Sequence, residues 1–109
     1  GVPKGDALAG ARIAAISATK RTPDLIPLCH PLSIHGVDVD IEVIDNSVEL
    51  RVTVRTADRT GVEMEALTGA SVGALAIIDM VKGLDRLAAI ECVQLLEKKG
   101  GRSGHWVRP

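Results

Sequence analysis

Apolar and polar positions in this chain follow two different periods. Residues 37–44 read VDVDIEVI and alternate strictly. Val37, Val39, Ile41 and Val43 point one way; Asp38, Asp40 and Glu42 point the other. Residues 48–55, VELRVTVR, repeat the pattern with Val48, Leu50, Val52 and Val54. Alternation of period two marks a half-buried strand, and Asp45-Asn46 between the runs suits a tight turn. The natural register places Val43 opposite Val48, Ile41 opposite Leu50 and Asp40 opposite Arg51. An antiparallel hairpin with one apolar and one charged face follows.

Two other stretches carry helical spacing. Residues 5–20, GDALAGARIAAISATK, place Leu8, Ala11, Ala15 and Ile16, and also Ala9, Ile13 and Ile16, at helical intervals, with Asp6 as N-cap. Thr60-Gly61-Val62-Glu63 has the capping-box pattern and opens a helix over about residues 62–84. Its expected buried stripe is Ala66, Ala70, Ala74, Ile77, Val81 and Leu84. Gly69, Ala70, Gly73 and Ala74 form a small-residue patch. Each helical glycine costs about 1 kcal/mol relative to Ala, so the patch predicts the close approach of another backbone.

Between the first helix and the hairpin, RTPDLIPLCHPLS (21–33) carries prolines at 23, 27 and 31. Proline lacks an N–H and disfavours helix before it, so an extended, stiff loop is expected. Residues 89–98 read as a strand, 100–104 as a flexible loop and His105-Trp106-Val107 as a short last strand. The whole is a single α+β domain over residues 1–109, with helices on one face of an antiparallel sheet.

Composition narrows the function. The chain has 109 residues, 46% of them apolar, yet no Phe, no Tyr and one Trp, Trp106. Ala, Val, Leu and Ile supply 45 residues. Domains that stack single-stranded bases on aromatic rings are excluded. Thirteen basic against fourteen acidic residues give a net charge of −1, so no strong basic field collects phosphate backbones. A short domain with small side chains covers little apolar surface by itself, and oligomerisation is expected. Cys29 and Cys92 form no CxxC, which argues against a zinc ribbon or a disulfide scaffold. No run approaches the length of a membrane span and no signal peptide is seen, so a cytoplasmic location is expected.

Several residues could carry chemistry. Asp79 and Lys82, three apart on one helix face, are by default a surface ion pair. Their place beside Ile77-Ile78 and Met80-Val81 instead suggests a proton-trading pair with shifted pKa values. Glu63 and Glu65 flank Met64 at the helix start. Their plain roles are the capping box and a favourable first-turn charge; together they could also accept the N–H donors of a guanine-like ring. Cys29 reads as a small buried residue and His30 as a loop residue, although a His between prolines is well placed for substrate contact. No ligand spacing for a metal is present. Lys98-Lys99-Gly100-Gly101-Arg102-Ser103-Gly104 resembles an anion cradle, and Lys4 before the first helix could reach a phosphate. A straight helix would separate Glu63 from Asp79 by about 24 Å. Either only one set is functional, or a pocket forms between two subunits; the small-residue patch and the expected oligomerisation both favour the second.

Residues 4–32, KGDALAGARIAAISATKRTPDLIPLCHPL, 60–82, TGVEMEALTGASVGALAIIDMVK, and 95–106, LLEKKGGRSGHW, closely resemble the MoaC family, the cyclic pyranopterin monophosphate synthases of molybdenum cofactor biosynthesis. The resemblance covers essentially the whole chain. It implies a ferredoxin-like fold and a homo-hexamer, a trimer of dimers, with active sites between subunits. It implies a lyase that converts a GTP-derived 3′,8-cyclo-dihydroguanosine triphosphate to cyclic pyranopterin monophosphate, releasing pyrophosphate. By motif, Asp79, Lys82 and Lys4 are the catalytic set. Leu28, Cys29, His30, Glu63, Met64, Glu65 and Lys98 are the substrate-binding set. Arg102 stands where many members have Lys. No cofactor is demanded, though a divalent ion can accompany the triphosphate; no nucleic acid or membrane partner is expected. The family's N-terminal segment is expected to be absent, which would leave the pocket short of one basic residue.

Overall fold

The computed structural model describes residues 4–57, 60–100 and 104–109, and of Lys4 the backbone alone. Helix α1 spans Lys4–Lys20 and a short α2 spans Thr22–Leu25. Strands β1 (Ile34–Ile44) and β2 (Ser47–Thr56) form the hairpin, and α3 spans Glu63–Val81. A small second hairpin joins β3 (Glu97–Lys98) to β4 (Trp106–Val107). The architecture is α+β: α1 and α3 pack together and both touch one face of the β1–β2 ribbon. It agrees in broad outline with a ferredoxin-like layer.

The hairpin register is the one that alternation dictates. Val43 pairs with Val48, Ile41 with Leu50 and Asp40 with Arg51. Asp45 takes the left-handed turn at φ 52, a conformation that a short polar side chain tolerates. Val39 is buried at the centre of the ribbon, while its neighbours Asp38 and Asp40 are exposed. Arg12 of α1 also donates a side-chain hydrogen bond to the carbonyl of Val39, fixing the helix over the strand.

The two long helices run antiparallel. A Cβ built on Gly69 would lie 2.4 Å from Thr19 Oγ1 and 3.0 Å from the Ala15 carbonyl oxygen. One on Gly73 would meet Leu50 Cδ2 at 2.7 Å and Ala15 Cβ at 3.2 Å, and one on Gly10 would meet Met80 Cε at 3.1 Å. The backbone that the glycine patch admits is therefore that of α1 in the same chain. The patch gives no separate argument for a second subunit.

Several local expectations need correction. The buried face of α3 is Glu65, Thr68, Gly69 and Gly73, one position round from the stripe expected at Ala66, Ala70 and Ala74. On α1 the buried residues are Ala7, Ala11, Ala15, Ala18 and Thr19, while Ile13 is 66% exposed. Along α1, and at Gly69 and Gly73 of α3, small residues face inward because the helices approach too closely there for larger ones. The Thr19 and Thr22 hydroxyls stay satisfied by donating to carbonyls one turn back, at 2.9 Å to Ala15 and 3.1 Å to Ala18. Asp6 lies in the first turn of α1 and is not its cap. The proline loop holds the short α2, because Pro23 falls in the first turn, where a missing N–H costs nothing.

Helix α3 ends at Val81, short of Leu84, and its N-cap is Val62, with no side-chain cap bond. The capping box does not form. Residues 89–96 have no assigned strand; only Glu97–Lys98 pairs, with β4. Finally, α3 has the length and apolar composition of a membrane span, contrary to the expectation that no run approaches one. It nevertheless packs its glycine face on α1 and β2 and carries Asp79 near its end.

Candidate functional site

A cavity of about 260 Å3 opens between the α2–β1 loop and the start of α3. Its lining includes Leu28, Cys29 and His30 from the loop and Glu63, Met64 and Glu65 from the helix. The six residues of these two motifs that the family resemblance implies as substrate-binding are all gathered in this one lining. Ile26, Pro27, Leu32, Thr60 and Gly61 complete the wall. Sequence reading did not single these out as site residues, although the prolines signalled that the loop is stiff. Trp106 is not in the wall; it lies on the β3–β4 hairpin with the Arg108 guanidinium 5.6 Å from its ring centroid.

The loop enters the cavity through a strained residue. Leu28 has φ 70 and is 96% exposed. A leucine in the left-handed region is uncommon, and such conformations cluster at functional sites. The turn it makes brings Cys29 round toward α3. There the Cys29 thiol donates to Glu65 Oε2 at 3.5 Å. Glu65 is only 2% exposed. Burial pushes the Cys29 thiol above its ordinary pKa, and the hydrogen bond to Glu65 and that residue's charge push it further. The thiol therefore stays protonated, as a donor must.

Glu63 faces the other way. Its Oε1 lies 2.6 Å from Lys98 Nζ, both side chains being about one quarter exposed. That oxygen is buried and the contact falls off the hydrogen-bonding direction, so charge holds it. Instead of capping its own helix, Glu63 ties β3 to the cavity. This brings Lys98, the seventh residue implied as substrate-binding, beside the cavity wall without making it part of the lining.

Asp79 and Lys82 lie elsewhere. They form an ion pair at 2.7 Å near the opposite end of α3, with side chains 71% and 65% exposed. The apolar neighbours that suggested a buried pair point to other faces of the helix. The hydrogen bond from Lys82, and then its charge, hold the Asp79 carboxyl below the usual carboxylate range. Asp79 is thus an ionised base or acceptor at neutral pH, with Lys82 as the adjacent donor. Because α1 runs antiparallel to α3, the backbone of Lys4 belongs to this same end. The Lys4 side chain, and Gly101, Arg102 and Ser103 of the basic glycine loop, lie outside the described residues. Among the described residues no three of His, Cys, Asp and Glu are placed to hold a metal. The expected site residues thus fall into two groups, one at each end of α3.

Comparison with known proteins gives one answer. The MoaC family model matches residues 1–101. The chain is 64% identical over 108 residues to the cyclic pyranopterin monophosphate synthase of Streptomyces coelicolor, covering 99% of this chain and 64% of that protein. It is 65% identical to the enzyme of that name from Streptomyces avermitilis, with the same coverage. To cyclic pyranopterin monophosphate synthase 2 of Mycobacterium tuberculosis it is 58% identical, covering 99% of this chain and 65% of that protein. The chain therefore spans a little under two thirds of the length of these relatives.

Proposed function

This chain belongs to the MoaC family, and from that premise we propose that it supplies both halves of a cyclic pyranopterin monophosphate synthase site. The observation that carries the reading is the cavity that gathers Leu28, Cys29, His30, Glu63, Met64 and Glu65. The substrate is a GTP-derived 3′,8-cyclo-dihydroguanosine triphosphate. The products are cyclic pyranopterin monophosphate and pyrophosphate.

The residues divide the work. Glu65 accepts N–H donors from the pyrimidinone portion, and Met64 and Leu28 cover its faces in the absence of any aromatic platform. His30 contacts the ring or the attacked phosphate. The cavity, at about 260 Å3, falls below the 300–1,000 Å3 usual for small-molecule sites. It suits the ring system, and the triphosphate must extend beyond it. Lys98 at the edge meets that charge. Ring opening and closure need a proton acceptor and donor in turn, which suits Asp79 and Lys82. Lys4 stabilises the charge that grows on departing pyrophosphate.

A helix rise of 1.5 Å per residue puts about 24 Å between Glu63 and Asp79. One chain cannot close the site, so it is shared between subunits, Asp79, Lys82 and Lys4 of one facing the cavity of the next. The oligomer is a hexamer assembled as a trimer of dimers. The reading carries a cytosolic location with it. A divalent ion, if present, arrives with the triphosphate.

The test is direct. The protein is incubated with the cyclic dihydro-GTP triphosphate, and mass spectrometry looks for the cyclic-phosphate pterin and free pyrophosphate. Formation of both in a ratio near one supports the reading, and formation of neither ends it.

A further inference from the structure

We infer that Cys29 is a positioning residue that holds Glu65 in place and chooses which of its oxygens faces the ligand. The inference rests on the reading of Glu65 as the acceptor for ligand N–H groups. Three features of the structure lead to it.

Glu65 is 2% exposed, and the Cys29 thiol is the one hydrogen-bond donor that reaches it among the described residues. A buried carboxyl group with too few donors is free to rotate about its last bond, and that torsion is broad. A single S–H contact at Oε2 biases this torsion. It commits one oxygen and leaves Oε1 for a ligand. The thiol is also held where it cannot drift. Leu28 takes the left-handed turn before it, and the Cys29 N–H donates to the Ile26 carbonyl at 3.2 Å. Finally, Glu63 cannot substitute for this acceptor, because its buried oxygen is engaged by Lys98 at 2.6 Å. The two carboxylates of the GVEME segment are therefore not a symmetric pair. Glu63 holds a cation and Glu65 reads the ligand, each with its own partner from outside the helix.

A thiol suits this role because it is small, fills apolar space and donates weakly. A ligand with a stronger N–H donor can then share the carboxylate without expelling a charged partner. A Lys or Arg in the same place would neutralise Glu65 and compete with the ligand.

The first experiment measures the contact without reference to turnover. In a Cys92→Ser background, which removes the exposed second thiol, the rate of Cys29 alkylation by iodoacetamide is followed against pH. Glu65→Gln should raise the rate at neutral pH by about threefold, since the thiolate is no longer opposed by a neighbouring carboxylate. Glu65→Asp, which withdraws the carboxylate while keeping its charge, should give a smaller rise. An unchanged rate in both variants overturns the inference, whether or not the protein turns over the proposed substrate.

The second experiment is the kinetic split. Cys29→Ala should raise KM about tenfold with kcat little changed, the signature of lost ground-state positioning. Cys29→Ser, which restores a donor, should recover most of that loss. If Ala and Ser behave alike, or if kcat falls while KM holds, Cys29 does not act through Glu65. If wild-type protein shows no turnover while alkylation responds as stated, the proposed reaction fails and the Cys29–Glu65 contact stands.

Discussion

Glu63 and Asp79 stand at opposite ends of one unbroken helix, Glu63–Val81, about 24 Å apart along its axis. Each has its own lysine: Glu63 meets Lys98 at 2.6 Å and Asp79 meets Lys82 at 2.7 Å. A ligand bound beside Glu63 cannot reach Asp79 of the same chain. If the proposed site is shared, Glu65→Ala and Asp79→Asn subunits should complement one another. Each is inactive alone. After verified subunit exchange, an equimolar mixture should recover roughly a quarter of wild-type activity, the statistical share of sites built from two unmutated halves. Absence of recovery would count against a shared site.

The helix seam makes a prediction about stability. Gly69 and Gly73 are both buried on α3, but their surroundings differ. A Cβ on Gly69 meets the Thr19 hydroxyl at 2.4 Å and the Ala15 carbonyl at 3.0 Å, part of a rigid helix backbone. A Cβ on Gly73 meets the end of the Leu50 side chain at 2.7 Å, which can rotate away, and the Ala15 Cβ at 3.2 Å, which must give by a few tenths of an ångström. Overpacking costs about 1–3 kcal/mol, against about 1 kcal/mol gained in helix propensity. Gly69→Ala should therefore destabilise by about 2 kcal/mol, and Gly73→Ala by clearly less. Urea unfolding of the two variants separates them; equal midpoints would mean that the α1–α3 spacing is looser than described.

Much of this was legible in the residues, and the exceptions share a cause. The hairpin register could be read off because period two leaves no ambiguity once Asp45-Asn46 is taken as the turn. The grouping of Cys29-His30 with Glu63-Met64-Glu65 followed from a family resemblance and not from spacing, since 33 positions separate His30 from Glu63. The failures arose where a long-range partner overrode a local signal. Glu63 has the capping-box position, but Lys98 from the distant hairpin engages it. Asp79 has apolar sequence neighbours, but helical rotation turns them away and leaves it 71% exposed. Glycine and alanine, which a hydrophobic stripe undervalues, proved to be the buried face, because helix separation selects for small size. Residues 89–96 have strand-like composition, but the short β4 reaches only their end, where the Arg108 N–H donates to the Leu96 carbonyl at 2.8 Å, and no strand is assigned before Glu97.

Leu28 allows a test of strain held at the site. It sits at φ 70 and is 96% exposed, so it contributes little packing while occupying a conformation that costs an L-residue about 1–2 kcal/mol. Leu28→Gly relieves that cost and should raise stability by about 1 kcal/mol in equilibrium unfolding. The same change removes a side chain from the cavity wall and loosens the approach to Cys29, so KM should rise. A variant that is less stable than wild type would show that the turn at Leu28 is not strained.

Asp79 and Lys82 yield a prediction with a definite sign. The hydrogen bond from Lys82, then its charge, lowers the Asp79 carboxyl below its ordinary value. A carboxyl with a lower pKa in the folded state than in the unfolded state adds stability above the unfolded value. That contribution is lost as pH falls through the folded value. Lys82→Ala removes both causes, so the side-chain carboxyl resonance of Asp79 should titrate at higher pH than in wild type. Both side chains are mostly exposed, so added salt should narrow the difference. The same lowered value leaves Asp79 ionised at neutral pH in the free chain, which suits it to the role of proton acceptor. Asp79→Asn keeps the shape and removes the basicity, and kcat should fall by about 100-fold or more with KM nearly unchanged. An unmoved titration in Lys82→Ala would dissolve the pair. A full kcat in Asp79→Asn would leave the pair intact but remove it from the chemistry, and the two outcomes can be told apart on the same protein preparation.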